Sequence, residues 1–187
     1  MFRHLTIAIA LTLASTLPAS AQQSSAQDKP LDVKSSVGDL HVGKDADAGA
    51  AGLPMYPGAR PKKEDDNDPL NFAFLTENVG LKLVLAKYET DDAPAKVIAF
   101  YRDKMKKYGK VIECHTQQQG SGIDVHDNKD SGGSKELKCD DNSGPVTELK
   151  AGTEDDQHVV AIEPADNAKG SIFTIVYMYK RGKKGDL

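Results

Sequence analysis

The stretch DDAPAKVIAFYRDKMKKYG, residues 91–109, is the segment of the sequence that decides the fold. Its apolar residues recur at helical spacing and form one broad stripe, whereas its charged residues lie mostly off that stripe. The stripe consists of Pro94, Val97, Ile98, Tyr101, Met105 and Tyr108. We expect an amphipathic helix of about seventeen residues whose apolar stripe packs against another layer of the structure.

Both ends of this helix carry capping signals. Asp91 or Asp92 can accept hydrogen bonds from the amides of the first turn, and Pro94 suits the first helical position. Gly109 is expected to take the left-handed conformation in which helices often end. The basic side of the helix could bind an anionic surface or nucleic acid, but interspersed acidic residues favour a solvated scaffold helix.

The chain on either side of the helix alternates apolar and polar residues with a period of two, which predicts strands. The predicted strands cover residues 70–76, 81–89, 110–115, 135–139, 146–151, 157–163 and 171–180. The strand at 81–89 is apolar on both faces, so we expect it to be central. Runs of strands interrupted by one helix predict an α+β domain, with the helix packed across one face of a mostly antiparallel sheet.

The first 21 residues are typical of a secretory signal peptide. An apolar run follows Arg3, and Ala19 and Ala21 form an Ala-x-Ala cleavage site. The apolar run is shorter than the ~20 residues that a membrane-spanning helix needs. The residue directly after the cleavage site is Gln22 and not a cysteine, which argues against a lipid anchor. We therefore expect a periplasmic or secreted bacterial protein that is not transmembrane.

The mature chain divides into three predicted parts. Residues 22–52 are mostly a flexible leader and linker with a short hairpin at 31–43, because the segment KDADAGAAG at 44–52 has nothing to bury. Residues 53–181 form a single α+β domain, in which Pro57-Gly58 makes a type II turn and Tyr56 packs into the body. Residues 182–187 form a flexible basic tail.

Composition limits the classes of function. The chain of 187 residues has a formal net charge of −4, which gives no sign of a polyanion binder, so we expect no nucleic-acid partner. The absence of Trp excludes a carbohydrate site built on tryptophan platforms. The predicted partners are another envelope protein or a small ligand.

Cys114 and Cys139 are the only cysteines, and export would place them in an oxidising compartment. We expect a structural disulfide, because the pair lies far apart in sequence and forms no Cys-x-x-Cys motif. A redox or metal role is the alternative. A zinc site would need His115, His126 or His158 to converge on both thiolates, and nothing in the spacing predicts that.

Two acidic segments could hold a calcium ion, because hard cations prefer carboxylate oxygens. They contain Glu64, Asp65, Asp66 and Asp68 in the first, and Asp124, His126, Asp127, Asn128 and Asp130 in the second. The first lacks the glycine and the distal glutamate of a calcium loop, and the second lies in a glycine-rich stretch that is typical of a tolerated insertion, so we assign no metal ligands and no cofactor. The long loop between the cysteines, residues 116–134, is either a binding loop or a tolerated insertion.

Motifs of known enzyme classes are absent from the sequence. There is no Gly-x-Ser-x-Gly, His-Glu-x-x-His, phosphate-binding loop or dinucleotide fingerprint. We therefore assign no catalytic residue and expect a non-enzymatic binding module. The alternative is a calcium-type metal-binding module that uses the acidic residues at 64–68 or 124–130. A hydrolase with a dispersed active site is less favoured, and it would need His115 or His158 to meet a carboxylate in a pocket.

Four segments together resemble a group of small exported bacterial proteins of uncharacterised function. These segments are LPMYPGA from residue 53, YETDDAPAKVIAFYRDKMKKYGKVIEC from 88, GTEDDQHVVAI from 152 and IFTIVYMYK from 172. The resemblance covers residues 31–180 and implies export and a single α+β domain. It implies no catalytic residues.

Overall fold

The structure of the chain is a computed structural model, which describes residues 29–62, 69–118, 136–139, 142–165 and 169–182. Several predictions lie outside these ranges. They concern the signal peptide with Ala19 and Ala21, most of the loop between the cysteines, and the end of the basic tail.

Nine strands and one α-helix make up the described residues. The strands are β1 (Leu31–Ser35), β2 (Gly38–Gly43), β3 (Arg60–Pro61), β4 (Leu70–Leu75), β5 (Gly80–Thr90), β6 (Ile112–Thr116), β7 (Val146–Thr153), β8 (Asp156–Pro164) and β9 (Ser171–Arg181). The helix α1 (Pro94–Met105) is followed by one 3₁₀ turn, Lys106–Tyr108. Six of the seven predicted strands are present.

All nine strands belong to one sheet in which every pair of neighbours is antiparallel. The strand order is β1-β2-β4-β5-β9-β8-β7-β6, and the short β3 pairs with the part of β5 that lies beyond the reach of β4. A single antiparallel sheet with one helix confirms the predicted α+β class. As expected, β5 is an inner strand.

The two faces of the sheet can be followed from β5. Val84, Ala86 and Tyr88 mark the first face, and Leu81, Leu83 and Leu85 mark the second, because successive side chains of a strand alternate. Residues that pair across strands share a face. The first face therefore continues from Val84, Ala86 and Tyr88 of β5 to Tyr177, Ile175 and Phe173 of β9, and then to His158, Val160 and Ile162 of β8.

The helix contributes three fully buried side chains, Val97, Tyr101 and Met105. They belong to the same hydrophobic core as the first-face residues Val160 and Phe173. These three residues are part of the stripe predicted from the sequence. The side chains nearest the centre of the stripe are thus the ones that are fully buried.

The predicted cap at the start of the helix is wrong. The helix begins at Pro94, as expected, but its N-cap is Ala93, which makes no side-chain capping bond. Asp92 accepts hydrogen bonds from Lys96 (2.6 Å) and from the hydroxyl of Tyr56 (2.9 Å), so its carboxylate is turned away from the helix amides. The side chain of Asp92 thus ties the helix to the segment that precedes β3.

The glycine at the other end behaves only partly as predicted. Gly109 has a φ of 123° and a ψ of −156°, which is a glycine conformation but not the left-handed helical one. Its amide donates to the carbonyl of Lys106 (3.2 Å) and closes the 3₁₀ turn. The chain therefore leaves the helix through an extended glycine and enters β6.

The prediction that residues 44–52 have nothing to bury is wrong. Ala46, Ala48 and Ala51 are buried in the hydrophobic core. The amide of Ala48 donates a hydrogen bond to the hydroxyl oxygen of Tyr88 (3.0 Å), and Asp47 closes the local turn by accepting from the amide of Ala50 (2.6 Å). Alanine is small enough to pack closely on the sheet, and this segment is part of the folded body.

Three smaller expectations have mixed outcomes. β1 and β2 pair as a hairpin at the position expected for residues 31–43. The turn at Pro57-Gly58 is confirmed, because Gly58 has a φ of 77° and the amide of Ala59 donates to the carbonyl of Tyr56 (3.0 Å). The prediction of a strand at 135–139 is wrong, since the described residues 136–139 make only one isolated bridge, at Glu136.

Candidate functional site

The predicted disulfide is confirmed. The sulfur atoms of Cys114 and Cys139 are bonded, and the two Cα atoms are 5.4 Å apart. Cys114 is fully buried in β6, whereas Cys139 lies in irregular chain beside it. The bond therefore pins a loop segment to a strand at one edge of the sheet, where a bridge between two strands had been expected.

The segment that carries Cys139 covers the outer edge of β6. The side chain of Asn142 accepts a hydrogen bond from the amide of His115 (3.0 Å), and the amide of Gly144 donates to the carbonyl of His115 (3.2 Å). Cys139 Sγ lies 3.6 Å from the carbonyl oxygen of Glu113. Both backbone groups of His115 are thus bonded by this segment.

Two charged residues of β7 are fully buried next to the disulfide, and their burial is not predicted by the sequence pattern. Glu148 pairs with Cys114 across the strands, and the ammonium group of Lys150 donates to the carbonyl of Lys138 (3.3 Å). Buried charges persist only where bonded partners replace water. The alternation of strand residues gave no signal, because polar residues on a half-buried strand are ordinarily solvated.

The hydrolase hypothesis requires that His115 or His158 meet a carboxylate in a pocket, and the two histidines have different surroundings. His115 pairs with Thr147 of β7, and His158 pairs with Ala151 of the same strand. The two histidines are therefore offset by four residues, or ~13 Å, along the strand direction. His115 is partly exposed, and its Nε2 lies 3.7 Å from Glu113 Oε1 at the surface. His158 is buried between aromatic rings.

The rings around His158 form a stack across the first face of the sheet. The imidazole of His158 lies 3.6 Å from the ring centre of Tyr108 and 4.6 Å from that of Tyr177. Burial lowers the pKa of His158 to about 4, against a smaller upward effect of the nearby Asp156 carboxylate. His158 is therefore neutral near pH 7, and its buried Nδ1 makes no hydrogen bond to the described residues.

The ring stack holds residues 44–52, which we call the alanine-rich segment, in place. Gly52, whose φ is 73°, presents its carbonyl oxygen to the hydroxyl of Tyr108 and to the ammonium group of Lys107 (2.8 Å). Lys82 donates to the carbonyl of Ala50 (3.2 Å) in the same turn. These contacts indicate that the stack is a structural clamp, since the polar groups of Lys82, Lys107 and Tyr108 donate to backbone carbonyls of residues 50 and 52.

The candidate metal sites lie outside the described residues. This applies to the acidic segment at 64–68 and to that at 124–130, with His126. Within the described ranges, no group of three or more histidine, cysteine, aspartate or glutamate residues is placed to hold a metal ion.

The second face of the sheet ends in an apolar surface on β1, β2 and β4, which we call the apolar sheet surface. Two rows of paired residues cross these strands, Leu31 with Val42 and Phe72, and Val33 with Leu40 and Phe74. The rows continue onto β5 at Leu83 and Leu81. The surface therefore consists of Leu31, Val33, Leu40, Val42, Phe72 and Phe74.

Exposure of this surface increases toward the edge of the sheet. Met178 of β9, which pairs with Leu83, is only 4% exposed, whereas Phe74 is 38%, Val33 45% and Leu31 55% exposed. Isolated exposed apolar residues are common, but a contiguous set on adjacent strands is typical of an interaction site. The sequence showed the alternation of β1 and β2 but not their register, which is what joins these residues.

The opposite side of the same strands is polar. His41 lies between two carboxylates, with Nδ1 2.8 Å from Asp32 and Nε2 3.0 Å from Asp45. The hydrogen bond to Asp32, followed by that to Asp45, raises the pKa of His41. The hairpin is thus amphipathic, with a charged network on one side and apolar residues on the other.

Comparison with models of protein families, with curated proteins and with solved structures found no match for this chain. Among the helices of the described residues, none has the length and apolar character needed to cross a membrane. A disulfide is typical of proteins outside the cytoplasm.

Proposed function

We propose that this protein is an exported, non-enzymatic binding protein of the cell envelope that uses the apolar sheet surface to bind another protein. The observation that carries the proposal is the contiguous set of half-exposed apolar residues on β1, β2 and β4, with Leu31, Val33 and Phe74 the most exposed. Their transfer out of water would provide a driving force of ~25 cal/mol per Å² of buried apolar area.

The form of the surface favours a protein over a small ligand. Sites for small molecules are concave and enclose most of the ligand, whereas protein interfaces are flatter and have an apolar centre. The six residues lie on neighbouring strands of one sheet face. A cleft of the described residues lies between the hairpin tip at 35–39 and the turn at 75–79, and it is open and lined by polar and apolar groups in similar amounts.

The helix supports this assignment through its position. We propose that α1 covers the first face of the sheet, because Val97, Tyr101 and Met105 share a core with the first-face residues Val160 and Phe173. The helix then serves the stability of the domain. The second face of β1, β2 and β4 is left to contact a partner.

Export is supported by three observations of different kinds. The first 21 residues have the pattern of a signal peptide with cleavage after Ala21, and the two cysteines form a disulfide. The resemblance to small exported bacterial proteins agrees with both. We propose a periplasmic or secreted location for the mature chain.

A pair of glutamate substitutions on one strand tests the binding surface. Phe74→Glu places a charge on the apolar sheet surface, whereas Ala73→Glu places the same charge on the opposite side of β4, where Lys82 is its cross-strand neighbour. Wild-type protein and both variants would be isolated gently from the periplasm and weighed by native mass spectrometry. We expect a bound protein on the wild type and on Ala73→Glu, and its loss from Phe74→Glu.

Two results would overturn the proposal. One is a wild-type protein that carries no protein partner, with or without crosslinking before cell lysis. The other is a partner that remains bound to Phe74→Glu as strongly as to Ala73→Glu. Circular dichroism of the purified variants would establish that both are folded, so that a loss of binding reports on the surface.

A further inference from the structure

The two edges of the sheet are treated differently by the chain. The outer side of β6 is covered by the segment around Cys139 and Asn142, as described above. β1 pairs only with β2, and all five of its residues are exposed. An exposed strand edge presents unpaired backbone groups that can pair with another strand. Among the described residues, nothing pairs with the outer side of β1.

The sequence of β1 is complementary to itself. Its residues are Leu31, Asp32, Val33, Lys34 and Ser35. If two copies pair antiparallel with Val33 opposite Val33, then Asp32 of each copy lies opposite Lys34 of the other. Opposite charges directly across an antiparallel pair are stabilising, whereas like charges are destabilising. One register therefore satisfies both charges of each copy at once.

We propose that β1 is a homodimerisation edge, where two copies of this chain pair antiparallel about Val33 and join their sheets into one. This interface uses the edge of the sheet, whereas the proposed partner-binding site uses its face. The inference does not depend on whether the apolar sheet surface binds a different protein.

The side chains of β1 fit this arrangement on both faces. Leu31 and Val33 lie on the apolar side, so the apolar sheet surfaces of two copies would become continuous across the edge. Asp32 and Lys34 lie on the polar side. One oxygen of Asp32 already accepts from His41, and its second oxygen can accept from the incoming lysine. Lys34 has no ion pair within the described residues.

The covered edge at β6 favours an assembly of two copies, because among the described residues β1 and the two-residue β3 are the strands whose outer sides are bare. A sheet with two bare edges can grow into a chain of subunits, but a sheet with one bare edge closes after a single two-fold contact. The disulfide-linked segment at β6 thus prevents continued edge-to-edge growth. The expected species is a discrete dimer with two-fold symmetry.

Charge variants of the mature, disulfide-bonded protein test the register. Asp32→Lys and Lys34→Asp each place like charges opposite one another, so each alone should weaken the dimer about tenfold or more. An equimolar mixture of the two variants restores both pairs in a heterodimer, and the double variant Asp32→Lys/Lys34→Asp restores both pairs in a homodimer. The measurement is sedimentation equilibrium, with native mass spectrometry to identify the heterodimer.

A control separates the loss of the interface from the loss of the His41 bond. Asp45→Asn removes a carboxylate partner of His41 but lies outside β1, so it should dimerise like the wild type. A wild-type protein that stays monomeric up to its solubility limit would overturn the proposal. So would a mixture of the two charge variants that associates no better than either variant alone.

Crosslinking locates the two-fold axis directly. The native cysteines are both bonded, so a cysteine introduced by Val33→Cys would be the only unpaired thiol in the described residues. Directly opposed Cα atoms of antiparallel strands lie about 4.5–5.5 Å apart, within the range for a disulfide. We expect rapid oxidation to a covalent dimer for Val33→Cys and slow oxidation for Val37→Cys at the exposed hairpin tip. Equal rates would contradict the register.

Discussion

Replacing Gly52 with alanine tests whether the ring stack clamps the alanine-rich segment to the sheet. Gly52 has a φ of 73°, and a Cβ atom placed there would lie 2.5 Å from the hydroxyl oxygen of Tyr108. The phenol ring cannot move aside freely, because it is stacked 3.6 Å from the imidazole of His158. The substitution should therefore strain the backbone, displace Tyr108 and weaken its hydrogen bond to the Gly52 carbonyl.

The expected cost of Gly52→Ala is the sum of these three effects. The left-handed backbone costs an ordinary residue ~1 kcal/mol, the lost hydrogen bond ~1 kcal/mol, and the steric displacement ~1 kcal/mol. Gly58 provides a matched control, because it has a φ of 77° and no atom within 4 Å of an added Cβ. Gly58→Ala should therefore cost only the backbone contribution of ~1 kcal/mol.

Urea unfolding of the two variants, followed by circular dichroism, measures the difference. We expect Gly52→Ala to lower the free energy of unfolding by about 2 kcal/mol more than Gly58→Ala does. Adding Tyr108→Phe to Gly52→Ala removes the clashing hydroxyl, so the double variant should be less destabilised than the two single effects predict. Equal costs for the two glycine variants, or strict additivity with Tyr108→Phe, would refute the clamp.

Four further predictions concern stability. Replacing Cys114 and Cys139 with serine should lower the free energy of unfolding by ~3.5 kcal/mol, as judged by urea titration, since their sequence separation is 25 residues. Tyr101→Phe should leave that free energy unchanged or raise it by ~1 kcal/mol, because the buried hydroxyl makes no hydrogen bond within the described residues. Tyr56→Phe breaks a 2.9 Å hydrogen bond to the carboxylate of Asp92 and should lower the free energy of unfolding by ~1.5 kcal/mol in the same assay. A larger loss for Tyr101→Phe than for Tyr56→Phe would contradict both predictions. His41 has a raised folded-state pKa, so its stabilising contribution should be complete below about pH 6.5 and lost as the pH rises through that raised value. His41→Asn should remove this pH dependence of unfolding, and an identical pH profile for wild type and variant would disprove it.

The elements of the fold could be predicted because they depend on local periodicity. The helix that begins at Pro94 and the long strands β5 and β9 have patterns that favour one conformation strongly. The lack of a cap at Asp92 could not be predicted, since its carboxylate is engaged by Tyr56 from a distant part of the chain. Local sequence shows which groups can cap a helix, but tertiary contacts decide which of them do.

The site was harder to predict than the fold because it depends on register. Leu31 and Phe74 lie more than forty residues apart in sequence, and only the pairing of β1, β2 and β4 places them on one surface. The buried alanines at 46, 48 and 51 were missed for a related reason. Small side chains carry little hydropathy signal, and they pack where large neighbours such as Tyr88 leave a narrow space.

The position of β9 has a consequence for how the chain reaches its native state. β9 is the last of the nine strands in sequence, yet it lies between β5 and β8 and joins the four-stranded part β1-β2-β4-β5 to the three-stranded part β8-β7-β6. Neither part can contact the other within the sheet until β9 has been inserted. Such long-range pairing is typical of domains that fold in milliseconds to seconds. A chain that emerges in order from its first residue therefore acquires its native sheet only after residues 171–181 have emerged.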